Sequence, residues 1–159
     1  MTSNQHLIGV ISDTHGLLRP AVVKAFAGVE LVLHAGDVGK PAVLEELTKI
    51  APVVAVRGNT DHGGWAQNLP LQEIVEIGET AIYIIHDLQA MDLNPAAAGF
   101  QVVVSGHSHD PWVVRKNGVL YLNPGSAGPR RFSLPISLAL LKIDGGRLRA
   151  ELIDLEAAG

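Results

Sequence analysis

The sequence predicts an α/β domain of two packed sheets with helices on their outer faces. Three observations lead there. In the first half, apolar runs of strand length alternate with helical segments, the order that builds a parallel sheet through right-handed crossovers. In the second half, strand pairs flank turn residues and little helix is expected. The chain has 159 residues, 47% of them hydrophobic and 18% charged, which sets one domain over residues 1–159 with enough apolar surface for a core.

The elements follow in order. Leu7 to Ser12 is a short apolar run suited to a buried strand. Pro20 stands at a first helical position and Gly28 beyond the last, so the residues between them read as a helix. Leu31 to Ala35 is a second strand, Pro41 to Ile50 a second Pro-opened helix and Val53 to Arg57 a third strand. The Leu44, Leu47 and Ile50 stripe marks that helix's core face. Gln72 to Ile77 and Thr80 to Ile85 form a hairpin about Gly78-Glu79. Asn94, Pro95 and Gly99 supply the cap, first position and stop of a short helix. Gln101 to Ser105 is another buried strand. Asn117-Gly118 joins Trp112–Lys116 to Val119–Leu122 by a type I′ turn. Asp144-Gly145-Gly146 joins Ile136–Ile143 to Leu148–Leu155. There is no internal repeat, low-complexity tract or long linker.

Composition removes several function classes. Seven histidines and no cysteine exclude a disulfide framework, a thiolate metal site and a cysteine nucleophile. A net charge of −4, with no Lys/Arg cluster, argues against nucleic acid as a partner. Aromatics at 4% are too few for a base-stacking platform. Mean hydropathy is positive, but no apolar stretch is long enough to span a membrane. Met1 to His6 lacks the pattern of a secretory leader, so a cytoplasmic protein is expected.

The chemistry collects after the strands. Asp13 and His15 follow the first run, Asp37 the second, and Asn59 and Asp61 the third. His86 follows Ala81–Ile85, and His107 and His109 follow Gln101–Ser105. Ligands in open α/β sheets bind beyond the carboxyl ends of the strands, so strands of shared orientation bring these groups to one edge. Gly16, Gly36, Gly58 and Gly106 allow the sharp turns such a cluster needs. Leaving Asp61 aside, two aspartates, one asparagine and four histidines make seven nitrogen and oxygen donors, which suit two ions with a shared carboxylate. Mixed imidazole and carboxylate ligation fits Mn, Fe, Co, Ni or Zn better than Ca or Mg. Two such ions can generate hydroxide and clamp a phosphoryl centre.

Asp13-Thr-His15, Gly36-Asp37, Gly58-Asn59-Thr-Asp61, His86 and Gly106-His107-Ser-His109 resemble, in order and spacing, the calcineurin-like metallophosphoesterases. Asn123-Pro-Gly-Ser126 further resembles the small single-domain bacterial and archaeal phosphodiesterases of that superfamily. The resemblance implies a four-layer α/β/β/α sandwich of two mixed sheets flanked by helices. It implies two divalent metal ions, manganese first among Mn, Fe, Ni, Co and Zn. Asp13, His15 and His109 would ligate the first ion and Asn59, His86 and His107 the second, with Asp37 bridging. A bridging hydroxide would attack phosphorus in line. The activity implied is that of a phosphodiesterase. The alternatives are a phosphomonoesterase (nucleotidase or phosphoprotein phosphatase) and a catalytically weak scaffold on the same fold.

Two departures bear on substrate. Many relatives carry a His directly after the metal-binding Asn, suited to protonating the leaving group; here that residue is Thr60. Asp61 and His62 are nearby candidates for the acid, with an exposed loop as the other reading of His62. The small phosphodiesterases commonly follow the His86 position with Gly-His; here Asp87-Leu88 stands. His34 reads as a core histidine supporting the site, and His6 as solvated. Arg57 could reach a phosphate or pair with a carboxylate. Arg130, with Arg131, could bind phosphate through its planar fork or remain solvated. Trp65 and Trp112 read as packing or interface residues. The expected partner is a small phosphate ester, and hairpin edges leave room for a homo-oligomer.

Overall fold

The computed structural model describes residues 5–156. Residues 1–4, part of the segment on which the expectation about a leader rests, and residues 157–159 of the expected domain lie outside that range.

Two five-stranded mixed sheets form the molecule's frame. In the first, β1 (Gln5–Ile11), β2 (Leu31–His34) and β3 (Val53–Ala55) run parallel, with Ile8 opposite Leu31 and Val32 opposite Val53. Between them, α1 (Pro20–Ala25) and α2 (Pro41–Thr48) form the crossovers, each with proline in its first turn. Proline suits that place because the first helical N–H groups have no intrahelical acceptor. The second sheet contains β4 (Gln72–Ile77), β5 (Thr80–Ile85), β6 (Val102–Val104), β8 (Val119–Asn123) and β7 (Trp112–Lys116), in that spatial order.

Period-two alternation gives each sheet two buried faces. Ile8, Val10 and Leu33 of the first sheet meet Ile82, Ile84, Val102, Val104, Leu120 and Leu122 of the second in a central cluster. On the first sheet's outer face, Ile11, Val32 and Leu138 pack with Val22, Phe26, Val43 and Leu47 from α1 and α2. On the second sheet's outer face, Tyr83, Val103 and Val119 are covered by Leu88, Met91, Leu93 and Phe100. The layers are therefore α/β/β/α.

The structure settles the sheet assignment and strand directions that the sequence leaves open, and differs from the sequence expectation in one turn and two short helices. The final hairpin, β9 (Ser137–Asp144) and β10 (Arg147–Asp154), returns to the first sheet, where β9 runs antiparallel to β1. Its turn is Gly145-Gly146 alone, because Asp144 stays in register opposite Arg147. In the second sheet β5, β6 and β8 are parallel. A one-turn α3 (Gly64–Gln67) and a 3-10 helix (Leu88–Ala90) were not expected; α4 (Pro95–Ala98), with Asn94 as cap, was. No helix among the described residues is long and apolar enough to cross a membrane.

Candidate metal centre

β1, β2 and β3 share one direction, and so do β5 and β6, so the turns that follow them meet at the sheets' carboxyl edge. Asp13 and His15 come from the turn after β1, Asp37 from that after β2 and Asn59 from that after β3. His86 follows β5, and His107 and His109 follow β6. The two sheets thus contribute different donors to one place.

The donors form two overlapping groups, Asp13–His15–His109 and Asp13–Asp37–His86. In the first, His15 Nε2 and His109 Nε2 are 3.4 Å apart and lie 3.8 and 3.4 Å from Asp13 Oδ1. In the second, His86 Nε2 lies 3.3 Å from Asp37 Oδ2 and 4.0 Å from Asp13 Oδ1. Asn59 extends this group: its Oδ1 is 3.0 Å from His86 Nε2 and 3.1 Å from His107 Nδ1. Asp37 Oδ2 also faces the first group, 3.7 Å from His15 Nε2.

Backbone geometry aims these side chains. Asp13, His15, Asp37, His107 and His109 all have φ between 48° and 72°. Residues bearing a Cβ seldom adopt that left-handed region, and holding one there costs about 1–3 kcal/mol. Surrounding contacts hold the turns. Asp13 N donates to Gly36 O, His15 N to Asp37 O and Ser126 Oγ to Asp13 O. Close packing adds a second constraint. A Cβ on Gly36, itself at φ 103°, would lie 2.7 Å from His86 Nδ1, and one on Gly106 would lie 2.6 Å from Asp13 Oδ2. Side chains at either position would push donors out of place.

Hydrogen bonds fix donor orientation. His86 Nδ1 is 2.7 Å from Ala35 O, which can only accept, so Nδ1 carries a proton and Nε2 faces the cluster. Asp13 Oδ2 accepts from Ser12 Oγ and His107 N, leaving Oδ1 buried with no hydrogen-bond partner among the described residues. Asp37 Oδ1 accepts from Thr60 N. Burial opposes ionisation of Asp37, but hydrogen bonds from His86 and Thr60 hold its carboxyl well below the usual carboxylate range. Burial likewise opposes charge on His86, yet Asp37 and Asp13 raise its pKa above the ordinary histidine value. The cluster therefore attracts positive charge. The orphaned Asp13 Oδ1 and the facing acceptors of Asn59, Asp37 and the histidines are the donor set that a divalent cation requires.

Other predicted residues are engaged elsewhere or apart. Asp61, read as a possible acid, is buried and accepts from the N–H groups of Val38, Gly39 and Gly58. An acceptor of three amides braces the turns after β2 and β3 and is not arranged to give up a proton. Arg130, read as a possible phosphate ligand, pairs with Glu156 and donates to Leu134 O. Arg57 is half-buried and forms no ion pair among the described residues, and His62 is exposed. His34 joins the turns after β1 and β2: Gly36 N donates to its Nδ1, so its Nε2–H donates to Thr14 Oγ1 at 3.0 Å. Burial pushes the His34 pKa down to about 4. Ser12 was missed by sequence reasoning, and only its position beside Asp13 could have signalled it. Asn123 Nδ2 donates to Gly106 O and steadies the turn that carries His107.

Comparison with known proteins adds ancestry to this geometry. A probable metallophosphoesterase of Methanothermobacter thermautotrophicus is 39% identical over 159 residues, covering 92% of this chain and 91% of that protein. A phosphodiesterase of Methanocaldococcus jannaschii is 31% identical over 137 residues, covering 74% and 82%. The crystal structure of Vps29 complexed with zinc from Entamoeba histolytica shares the fold, with TM-score 0.72, 24% identity and coverage of 94% and 99%. Residues 7–146 match the calcineurin-like phosphoesterase superfamily domain, and the chain belongs to that superfamily.

Proposed function

We propose that this protein is a metal-dependent phosphodiesterase with a dinuclear site. The observation that carries the reading is Asp37, whose Oδ2 faces His86 at 3.3 Å and His15 at 3.7 Å. One carboxylate between two donor groups is what a shared ligand requires. Asp13, His15 and His109 would hold one ion, Asn59, His86 and His107 the other, and Asp37 both. When bound, two divalent ions activate water at neutral pH and place positive charge against phosphoryl oxygens. Manganese is the ion to load first, and zinc is named with a structural neighbour.

The chain's own residues then set the chemistry. Ser12 and the His107 amide orient Asp13, Thr60 N orients Asp37, and Ala35 O orients the His86 ring. Asp61 holds the turns that carry Asp37 and Asn59. Residue 60, following Asn59, is a threonine, whose hydroxyl is far too weak an acid to protonate a leaving group at neutral pH. Leaving groups that depart without protonation are therefore favoured. The name of the 31%-identical relative supports diesters as substrates.

The test is hydrolysis of bis-p-nitrophenyl phosphate by protein stripped of metal and reloaded with Mn²⁺, Ni²⁺ or Co²⁺. Metal-dependent turnover is expected. No turnover with any of them overturns the reading, and a strong preference for p-nitrophenyl phosphate replaces the diesterase with a monoesterase.

A further inference from the structure

Asp87 follows His86 and opens the 3-10 helix Leu88–Ala90. Its Oδ1 accepts from Gln89 N at 3.0 Å, and its carbonyl accepts from Ala90 N at 3.0 Å. Leu88 and Met91 fasten the same turn to Tyr83, Ile85, Val103 and Val119. The carboxylate is thus held in place. Its Oδ2 lies 3.9 Å from His107 Nε2, on the ring edge opposite the Nδ1 that meets Asn59. Both side chains reach solvent, with 38% of Asp87 and 45% of His107 exposed. Among the described residues no lysine or arginine forms an ion pair with Asp87.

At 3.9 Å this contact is too long for a hydrogen bond, so its influence on the site is one of charge. Two divalent ions would bring four positive charges, of which Asp13 and Asp37 offset two. A phosphodiester brings one negative charge to the remainder, and an ionised phosphomonoester brings two. A further fixed negative charge at the rim penalises the second ester twice as strongly as the first.

We propose that Asp87 is a specificity-determining residue whose fixed carboxylate beside His107 selects singly charged phosphate esters over doubly charged ones. The proposal rests on the phosphoesterase reading above. Asp87→Asn removes the charge and keeps the oxygen that accepts from Gln89 N.

The experiment is calorimetric binding of two non-hydrolysable probes to Mn²⁺-loaded protein at mildly alkaline pH. The probes are phenylphosphonate, a dianion there, and its monomethyl ester, a monoanion. Asp87→Asn should tighten phenylphosphonate about three- to tenfold and the monomethyl ester by less, the gap narrowing as salt is raised. The monoester-to-diester ratio of kcat/KM should rise by a similar factor. Metal content and Tm are measured alongside, and Asp87→Ser, which also retains a capping oxygen, must repeat the shift. Equal changes for the two probes, or none, overturn the proposal. Absence of ester turnover by the wild type overturns the phosphoesterase reading instead, while the probe pair still decides charge selection.

Discussion

Asp37 divides its carboxylate between two tasks, Oδ1 taking the Thr60 amide and Oδ2 facing His15 and His86. Asp37→Asn keeps the size and removes the charge that cations need. Elemental analysis of the Mn²⁺-loaded variant should show loss of bound metal, and turnover of bis-p-nitrophenyl phosphate should fall at least about a hundredfold. His34 makes a different prediction, on stability. Its folded pKa of about 4 lies below the reference value of 6.5, because burial disfavours the imidazolium. Between those values the unfolded chain binds more protons than the folded one, so stability falls as pH falls. The contribution is complete above about pH 6.5 and gone below about pH 4, on the order of 3 kcal/mol in all. Urea unfolding of the metal-free protein should show that loss, and His34→Gln, which does not titrate, should flatten it. An unchanged slope would remove His34 as the source. At this scale the sequence pointed to the residues that cluster and not to their hydrogen-bond partners. Asp13, His15 and Asp37 were legible because each follows an apolar run. That Asp61 would take three amides, or Arg130 would meet Glu156, depends on turns and a terminus brought together only by folding.

Turns carry the donors and also join the hairpins, and glycine serves the two uses differently. Asn117 and Gly118 have φ of 54° and 79°, the paired positive values of a type I′ turn between β7 and β8. A Cβ on Gly118 meets nothing within 4 Å, so Gly118→Ala tests backbone strain alone. It should cost about 1 kcal/mol in thermal or urea unfolding and leave metal content unchanged. Gly36→Ala adds a collision with the His86 ring to a similar strain, so it should destabilise more and also lower metal content. Equal behaviour of the two variants would mean that the turn after β2 yields without moving His86. The Asn-Gly hairpin was legible because its turn chemistry is local, as were the Pro-opened helices. Two one-turn elements were not: α3 and the 3-10 helix have no room for a period and lack the Asn-Pro start and Gly stop that marked α4. Nor could local signals place β9 against β1, since that pairing joins the two ends of the chain.

The two sheets pack through one central cluster, yet the donors are divided between them. Asp13, His15, Asp37 and Asn59 stand on turns of the first sheet, and His86, His107 and His109 on turns of the second. Ions held by both sets would tie the sheets together at their carboxyl edge, where the left-handed donor residues store strain. Anything that binds the folded state alone adds stability by mass action, about 2.7 kcal/mol at a hundred times Kd. For a chain of this length that corresponds to a rise in Tm of about 5–10 °C. Thermal unfolding of the metal-free protein with increasing Mn²⁺ should therefore shift upward with concentration, and a chelator should reverse the shift. Asp37→Asn should lose most of the increment because it removes the carboxylate facing both donor groups. Gly118→Ala should start lower and gain the full increment, since its hairpin turn holds no donor. If Mn²⁺ raised the Tm of Asp37→Asn as much as that of the wild type, the stabilising ion would lie elsewhere, and the donor cluster would have no claim to it.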